Sequence, residues 1–348
     1  MVHWDVLTVR HTSQRRLDVG LTLGPLAHGP GDPTFHRAAD GSVWRTSLLR
    51  TGPVTQQFVP AGPHEVVVRL WGDGAREAAE ALPVLLGEDD DATGFVPPPQ
   101  VRDAHRRAAG LRMPRSGRVL ESLVPAVLEQ RVQTVTAHRA WRWLVTRYGT
   151  PAPGPTPDEL GGGQRGALGA GQRGGLGGLG GLGAGQRGGL GGGQRGGLRG
   201  GLRVVPDAQA WARIPVWDWH RAGVDPGRAR TVARCALVAP RLEEAAAMAP
   251  AEARARLEKV QGVGVWTSAE VAQRAFGDAD AVSVGDFHLP AAVGWALAGE
   301  RTDDAGMLRL LAPYAPHRHR VVRLLSLSGH PRAPRRGPKT PIVDYRAF

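Results

Sequence analysis

The rhythm of apolar positions changes near residue 100. Before it, Val43–Leu49 and Glu65–Leu70 are short runs that carry β-branched residues between glycine and proline turns, which predicts strands. Ala75–Leu86 instead places alanine and leucine at helical spacing. The acidic run Glu88–Asp91 and Pro97-Pro98-Pro99 then punctuate the chain, so residues 1–98 are expected to form a small N-terminal α+β domain. From Val101 onward the period is helical. Leu120, Leu123, Val127, Val132, Val135, Trp141 and Leu144 fit two amphipathic helices between Ser116 and Tyr148. Further short helices are predicted over Asp207–Ile214, Pro226–Val238, Arg241–Met248 and Pro250–Val260, then Trp266–Phe276, Leu289–Ala298, Asp303–Leu311 and Arg318–Leu327. Residues 99–160 and 204–330 are therefore expected to make a mostly α domain, giving an α+β chain overall.

Gly161–Arg203 fits neither rhythm. It holds 23 of the 49 glycines, six arginines and no acidic residue, and Gln-Arg-Gly recurs at Gln164, Gln172, Gln186 and Gln194. So much glycine loses too much backbone entropy on ordering to hold one conformation, so a flexible, disordered insertion is expected over 161–203. Residues 331–348 form a basic tail.

Composition narrows the chemistry. The chain has 348 residues, a net charge of +12 and 41% hydrophobic residues, which excludes wholesale disorder. Its only lysines are Lys259 and Lys339, so the basic surface is arginine, and a surface of that kind attracts polyanions. A single cysteine, Cys235, excludes a disulfide framework, a four-cysteine zinc site and an all-cysteine iron–sulfur cluster. No apolar run is long enough to span a bilayer, and the first residues lack the apolar region of a secretory signal, so a cytoplasmic, nucleoid-associated protein is expected. His317 and His319 alternate on a predicted helix and so point apart, which argues against a metal site. A basic helix near a polyanion is the expected reading.

The densest information lies in Leu257–Asp286. Val260-Gln261-Gly262-Val263-Gly264-Val265 separates two predicted helices by a turn with glycine at alternate positions. Without side chains in the way, backbone amides at the start of the second helix can approach a phosphate, which the helix dipole also favours. The same spacing also occurs in ordinary helix–helix turns. Asp286 lies ten residues after Phe276, just ahead of another helix. Alone it reads as an N-cap. Beside a phosphate-binding turn, its carboxylate can also stabilise an oxocarbenium-like sugar or orient a water.

These residues, with Trp266-Thr267, the Gly277–Asp280 loop and Val284-Gly285-Asp286, resemble the helix-hairpin-helix DNA glycosylase superfamily, and most closely its 3-methyladenine DNA glycosylase II branch. Gly110-Leu111-Arg112-Met113-Pro114 and Ala126-Val127-Leu128-Glu129-Gln130-Arg131-Val132 are similar to that family's entry to its helical domain and its DNA-wedge loop. The resemblance implies a catalytic Asp286. It implies a hairpin of Gly262, Val263, Gly264 and Val265 whose amides hold the DNA backbone, with Thr267 beside it and a monovalent cation as a possible occupant. Trp266 falls at a base-pocket aromatic, where its face attracts a cationic alkylated purine. Glu270 lies one turn beyond, either in the same pocket or on the helix surface. Gln130 and Arg131 fall at the loop that fills the gap left by a flipped base, although Arg131 replaces an apolar wedge. A second pocket aromatic has no match, because Ser326 stands near its place.

The expected protein is a monofunctional glycosylase that acts as a monomer on damaged double-stranded DNA, without cofactor or membrane partner. Members of the superfamily that also nick the strand use a hairpin lysine as a Schiff-base nucleophile, and Trp266 stands at that position here. Two alternatives remain. One is a non-catalytic helix-hairpin-helix DNA-binding protein. The other keeps the fold but acts on uracil, hypoxanthine or oxidised guanine.

Overall fold

The computed structural model describes residues 5–161, 201–334 and Arg346. Most of the glycine-rich insertion and most of the basic tail lie outside these residues, so the expectation that they are disordered does too.

Five strands form an antiparallel sheet in the order β1-β5-β4-β3-β2. They are β1 (Leu7–Thr12), β2 (Phe35–Arg37), β3 (Val43–Leu49), β4 (Gly52–Gly62) and β5 (Glu65–Trp71). Alternation in β5 sends Val66, Val68 and Leu70 to one face, where they are fully buried with Val54 and Phe58. Helices α1 (Val19–Leu23), α2 (Ala75–Glu80) and α3 (Leu82–Leu85) contribute to the same apolar core. The helix expected over Ala75–Leu86 is thus two helices. Pro83 sits in the first turn of α3, where its missing amide is tolerated; inside one continuous helix it would break the ladder.

On a second apolar cluster Trp44 and Trp71 stack at 5.7 Å beside Leu202. Nearby, β6 (Thr150–Pro151) pairs with β7 (Arg203–Val204), and α7 (Pro157–Gly161) comes after β6. Arg203, expected inside the flexible insertion, is therefore a strand residue, and the β6–β7 pair forms a neck flanking residues 162–200.

The sheet is fastened to the helices through α5 (Val119–Leu128). Its Glu121 accepts hydrogen bonds from Ser47 Oγ (2.7 Å), the Leu48 amide (2.7 Å) and Arg45 Nη2 (3.2 Å). α5 is buried along nearly its whole length and packs against later helices. α4 (Arg102–Arg107) packs through Ala104 on Leu324 near the end of the chain, while α6 (Thr134–Tyr148), α8 (Ala208–Arg213), α9 (Val216–Ala222), α10 (Pro226–Leu237) and α11 (Ala239–Glu243) share the core of α5. The helix expected over Arg241–Met248 is displaced: α11 starts earlier and a 3₁₀ turn covers Glu244–Ala247. Next come α12 (Pro250–Glu258) and α13 (Val265–Val271), and a π-helical turn (Ala272–Phe276) extends α13. α14 (Leu289–Ala298), α15 (Asp304–Leu311) and α16 (Arg318–Leu327) share a smaller apolar cluster.

The acidic run Glu88–Asp91, expected to mark a boundary, works as a joint. Asp90 accepts from both terminal nitrogens of Arg320 and from the Met113 amide (3.0 Å), with only 3% and 4% of the paired side chains exposed. Glu88 accepts from Arg112 at 2.7 Å. Nor is α16 an outward basic helix: His319, Arg320 and Arg323 are buried, and Arg318 is bound to Asp280. Arg323 donates to Leu21 O (2.9 Å), Arg274 to Pro25 O (3.0 Å) and Arg37 to Gly20 O. Three guanidinium groups from separate elements thus converge on the carbonyls of residues 20–25. Burial, reinforced by Arg274 and Arg37, pushes Arg323 down to about 9. The arginine excess partly serves this clamp rather than the surface.

His28 gives the fold an acid dependence. It packs edge-on to Trp141 at 4.9 Å, and burial lowers its imidazole to about 3 against the opposing pull of Glu129; Arg274, His138 and Arg45 lower it further. The ring stays neutral in the folded protein but takes a proton near pH 6.5 when unfolded. Its contribution is therefore complete above pH 6.5 and is lost progressively below, by on the order of 2 kcal/mol between pH 6.5 and 5. His319, also lowered by burial and neighbouring arginines, acts in the same direction. Urea midpoints measured across that range are expected to fall with pH, and less steeply in His28→Gln; a flat profile would contradict the buried neutral ring.

Candidate functional site

α12 and α13 enclose the turn Lys259–Gly264. The Val263 amide donates to Val260 O (2.9 Å), and Ser268 Oγ of α13 donates to Glu258 Oε1 of α12 (2.6 Å), which ties the two helices together. The two glycines serve different ends. Gly262 has φ +100°, and a Cβ there would lie 2.2 Å from Thr231 Oγ1 of α10, so the fold itself demands glycine. Gly264 has φ −112°, and a Cβ added to it would meet no atom within 4 Å. Its surface is open to an incoming group. Val263, expected among the residues holding a backbone, instead turns inward, with its side chain buried and its amide spent on the turn. Gly262, Gly264 and Val265 remain exposed.

Trp266, in the first turn of α13, directs its indole N–H to Asp286 Oδ2 at 3.2 Å. The other oxygen, Oδ1, accepts from the His288 and Leu289 amides, both at 2.7 Å. Asp286 thus satisfies amides at the start of α14, whose N-cap is His288, and is a carboxylate fixed at both oxygens by three N–H donors. Gly285, at φ +87°, turns the chain into it, and its amide is held by Asp304 (3.0 Å). A half-buried carboxylate held this way presents a fixed negative charge, the arrangement that stabilises a cation developing beside it. At its shoulder Phe287 is 84% exposed.

The loop after α5 is joined to the same turn. Gln130 Nε2 donates to Gly262 O (2.9 Å) and to Thr267 Oγ1 (2.8 Å). Thr267 is only 2% exposed and acts as an internal brace, whereas Gln130 is half-buried and ties the loop to the turn at the surface. Arg131 is exposed, with φ +54°, and is the non-glycine residue with positive φ among those described. Glu270, one turn below Trp266, is not a free surface carboxylate: it accepts from Arg274 Nη1 (2.8 Å) and from Ser283 Oγ. Glu129, preceding Gln130, lies 3.5 Å from His138; burial works to raise its carboxyl, but His138, Arg274 and His28 outweigh it and hold it low.

Other chemistry is limited. Cys235 is buried, which pushes its thiol up to about 12 and leaves no thiolate nucleophile. Among the described residues no group of three or more His, Cys, Asp or Glu side chains could hold a metal, and no helix is long and apolar enough to cross a membrane. Lys259 is exposed at the end of α12. Sequence spacing brought Gly264 and Asp286 forward as candidates, and the family resemblance added Trp266. It gave no sign of the indole–carboxylate bond or of the Gln130 brace, which join residues 20 and 137 positions apart.

No family model matches the sequence, and no curated protein matches it. Solved structures do. The 3-methyladenine DNA glycosylase of Archaeoglobus fulgidus is similar over 92% of this chain and 98% of its own, with a TM-score of 0.66 and 15% identity. MBOgg1, in complex with a low-affinity DNA ligand, gives a TM-score of 0.63 at 12% identity over 94% of this chain and 98% of its own. The 8-oxoguanine glycosylase/lyase of Clostridium acetobutylicum gives 0.61 at 10% identity, over 94% of this chain and 99% of its own. The chain has the α+β helix-hairpin-helix fold of these DNA glycosylases along nearly its whole length.

Proposed function

We propose that the chain is a DNA glycosylase of base excision repair, acting as a monomer on double-stranded DNA that carries a damaged base. The observation that carries this reading is the Asp286 carboxylate, fixed by three N–H donors beside Trp266 and next to the open Gly264 edge of the hairpin. Chemistry at C1′ needs the nucleotide out of the stack. In this reading the exposed hairpin residues Gly262, Gly264 and Val265 grip the backbone, and Arg131 enters the gap. Asp286 faces the sugar, water adds to C1′ and gives up a proton to solvent, and the base leaves with the glycosidic electron pair. In the turn Gly262 O accepts from Gln130 and Val260 O from Val263, and no step depends on a monovalent cation there.

The substrate we favour is an alkylated purine of the 3-methyladenine type, whose cationic ring suits the face of Trp266. One observation supports a second lesion class. Glu270 is committed to Arg274 and Ser283, so the pocket offers a cationic base no free carboxylate there, which suits a neutral oxidised or deaminated base. Methylated, hypoxanthine-containing and 8-oxoguanine-containing duplexes, each incubated with the protein and followed by chromatography of released bases, separate the readings. Release of 3-methyladenine is expected. Release only from the other duplexes would reassign the lesion, and no release from any would favour a binding protein.

Strand cleavage is not expected. Trp266 offers no amine, and Lys259 ends α12 on the exposed side. Borohydride added during turnover should therefore trap no protein–DNA adduct; a trapped adduct would make the protein a lyase.

A further inference from the structure

The bond between Trp266 and Asp286 gives the tryptophan a role that ring stacking does not. We propose that Trp266 is a positioning residue, whose indole N–H sets the direction of the Asp286 carboxylate and couples it to the hairpin. The inference rests on the glycosylase reading.

Oδ1 is committed to the His288 and Leu289 amides, which leaves Oδ2 as the oxygen available to a sugar. Held at Oδ1 alone, the carboxylate can still pivot about that oxygen through coupled changes of its two side-chain torsions, which carries Oδ2 away. The indole N–H at 3.2 Å is the third contact, and it fixes that pivot. Trp266 is itself placed by its neighbours on α13. Thr267 is buried and accepts from Gln130, and Ser268 is bound to Glu258 of α12. The hairpin, the Gln130 brace, the indole and the carboxylate therefore form one connected series. The series also explains why asparagine cannot replace Asp286 neutrally: donors face both oxygens, so an amide nitrogen must meet an N–H on one side or the other.

Trp266→Phe keeps an aromatic ring and removes the N–H, whereas Trp266→Leu removes both. Under single-turnover conditions Trp266→Phe is expected to lower base release about tenfold while leaving affinity for a duplex carrying an uncleavable 2′-fluoro lesion nucleotide within twofold. A stacking role predicts the reverse, with Trp266→Phe near wild type in rate and Trp266→Leu weakened in binding; that pattern would overturn the proposal. A second measurement needs no activity. The Trp266 indole N–H resonance, identified as the one missing in Trp266→Phe, is expected to shift on Asp286→Asn more than the other indole signals. An unmoved resonance would overturn the bond. If the wild type releases no base from any duplex, the glycosylase reading fails instead, and the resonance still decides whether the indole holds the carboxylate.

Discussion

Asp286→Asn is expected to lower base release by ~10³-fold or more while leaving affinity for lesion-containing duplex intact or improved. The effect is large because the substitution removes a fixed negative charge where a cation would develop. Asparagine also breaks the donor pattern, since it must turn its amide nitrogen toward either the α14 amides or the Trp266 indole. Intact affinity would reflect the hairpin, which this change does not touch. Single-turnover release and equilibrium binding to the same duplex form the test. Loss of affinity with no excision by the wild type would support a non-catalytic binding protein, because such a module needs no carboxylate at the sugar.

The second large effect is structural. Arg320→Met should destabilise the fold by about 3–5 kcal/mol, because it leaves the Asp90 carboxylate buried without its partner. Urea denaturation measures the loss. The companion variant Asp90→Leu with Arg320→Met removes both charges and is expected to recover most of the stability. A single substitution costing under about 1 kcal/mol would mean that Asp90 finds water or another donor when the pair is broken.

The strands Val43–Leu49 and Glu65–Leu70 were legible because their β-branched and apolar residues stand between glycine and proline turns. β4 was not, since Pro53 and Pro60 lie within its bounds and Thr55, Gln56 and Gln57 occupy its centre. Those polar residues are buried because partners satisfy them: Gln56 accepts from Arg45 (2.9 Å) and Gln57 from Arg69 (3.0 Å). Linear patterns cannot show that exchange. α9 was missed for a different reason. It is a short helix whose apolar residues point both ways, Val216 and Trp217 to solvent and Trp219 and Ala222 to the core, so no single apolar stripe marks it. The candidate site was legible where chemistry is local, in the glycines of the hairpin and the aspartate ahead of α14. Contacts across the fold, such as Asp90 with Arg320 over 230 positions, had no local signature. That is why the acidic run looked like a boundary and α16 looked like a surface helix.

Arg131 takes a left-handed conformation, at a cost of roughly 1–2 kcal/mol for a residue with a Cβ. The Gln130 bonds to the hairpin maintain that bend. Preorganisation of this kind moves the ordering penalty from the encounter to the folding of the chain. Encounter rates with different duplexes should then be nearly uniform, and discrimination between sound and damaged DNA should appear in residence time.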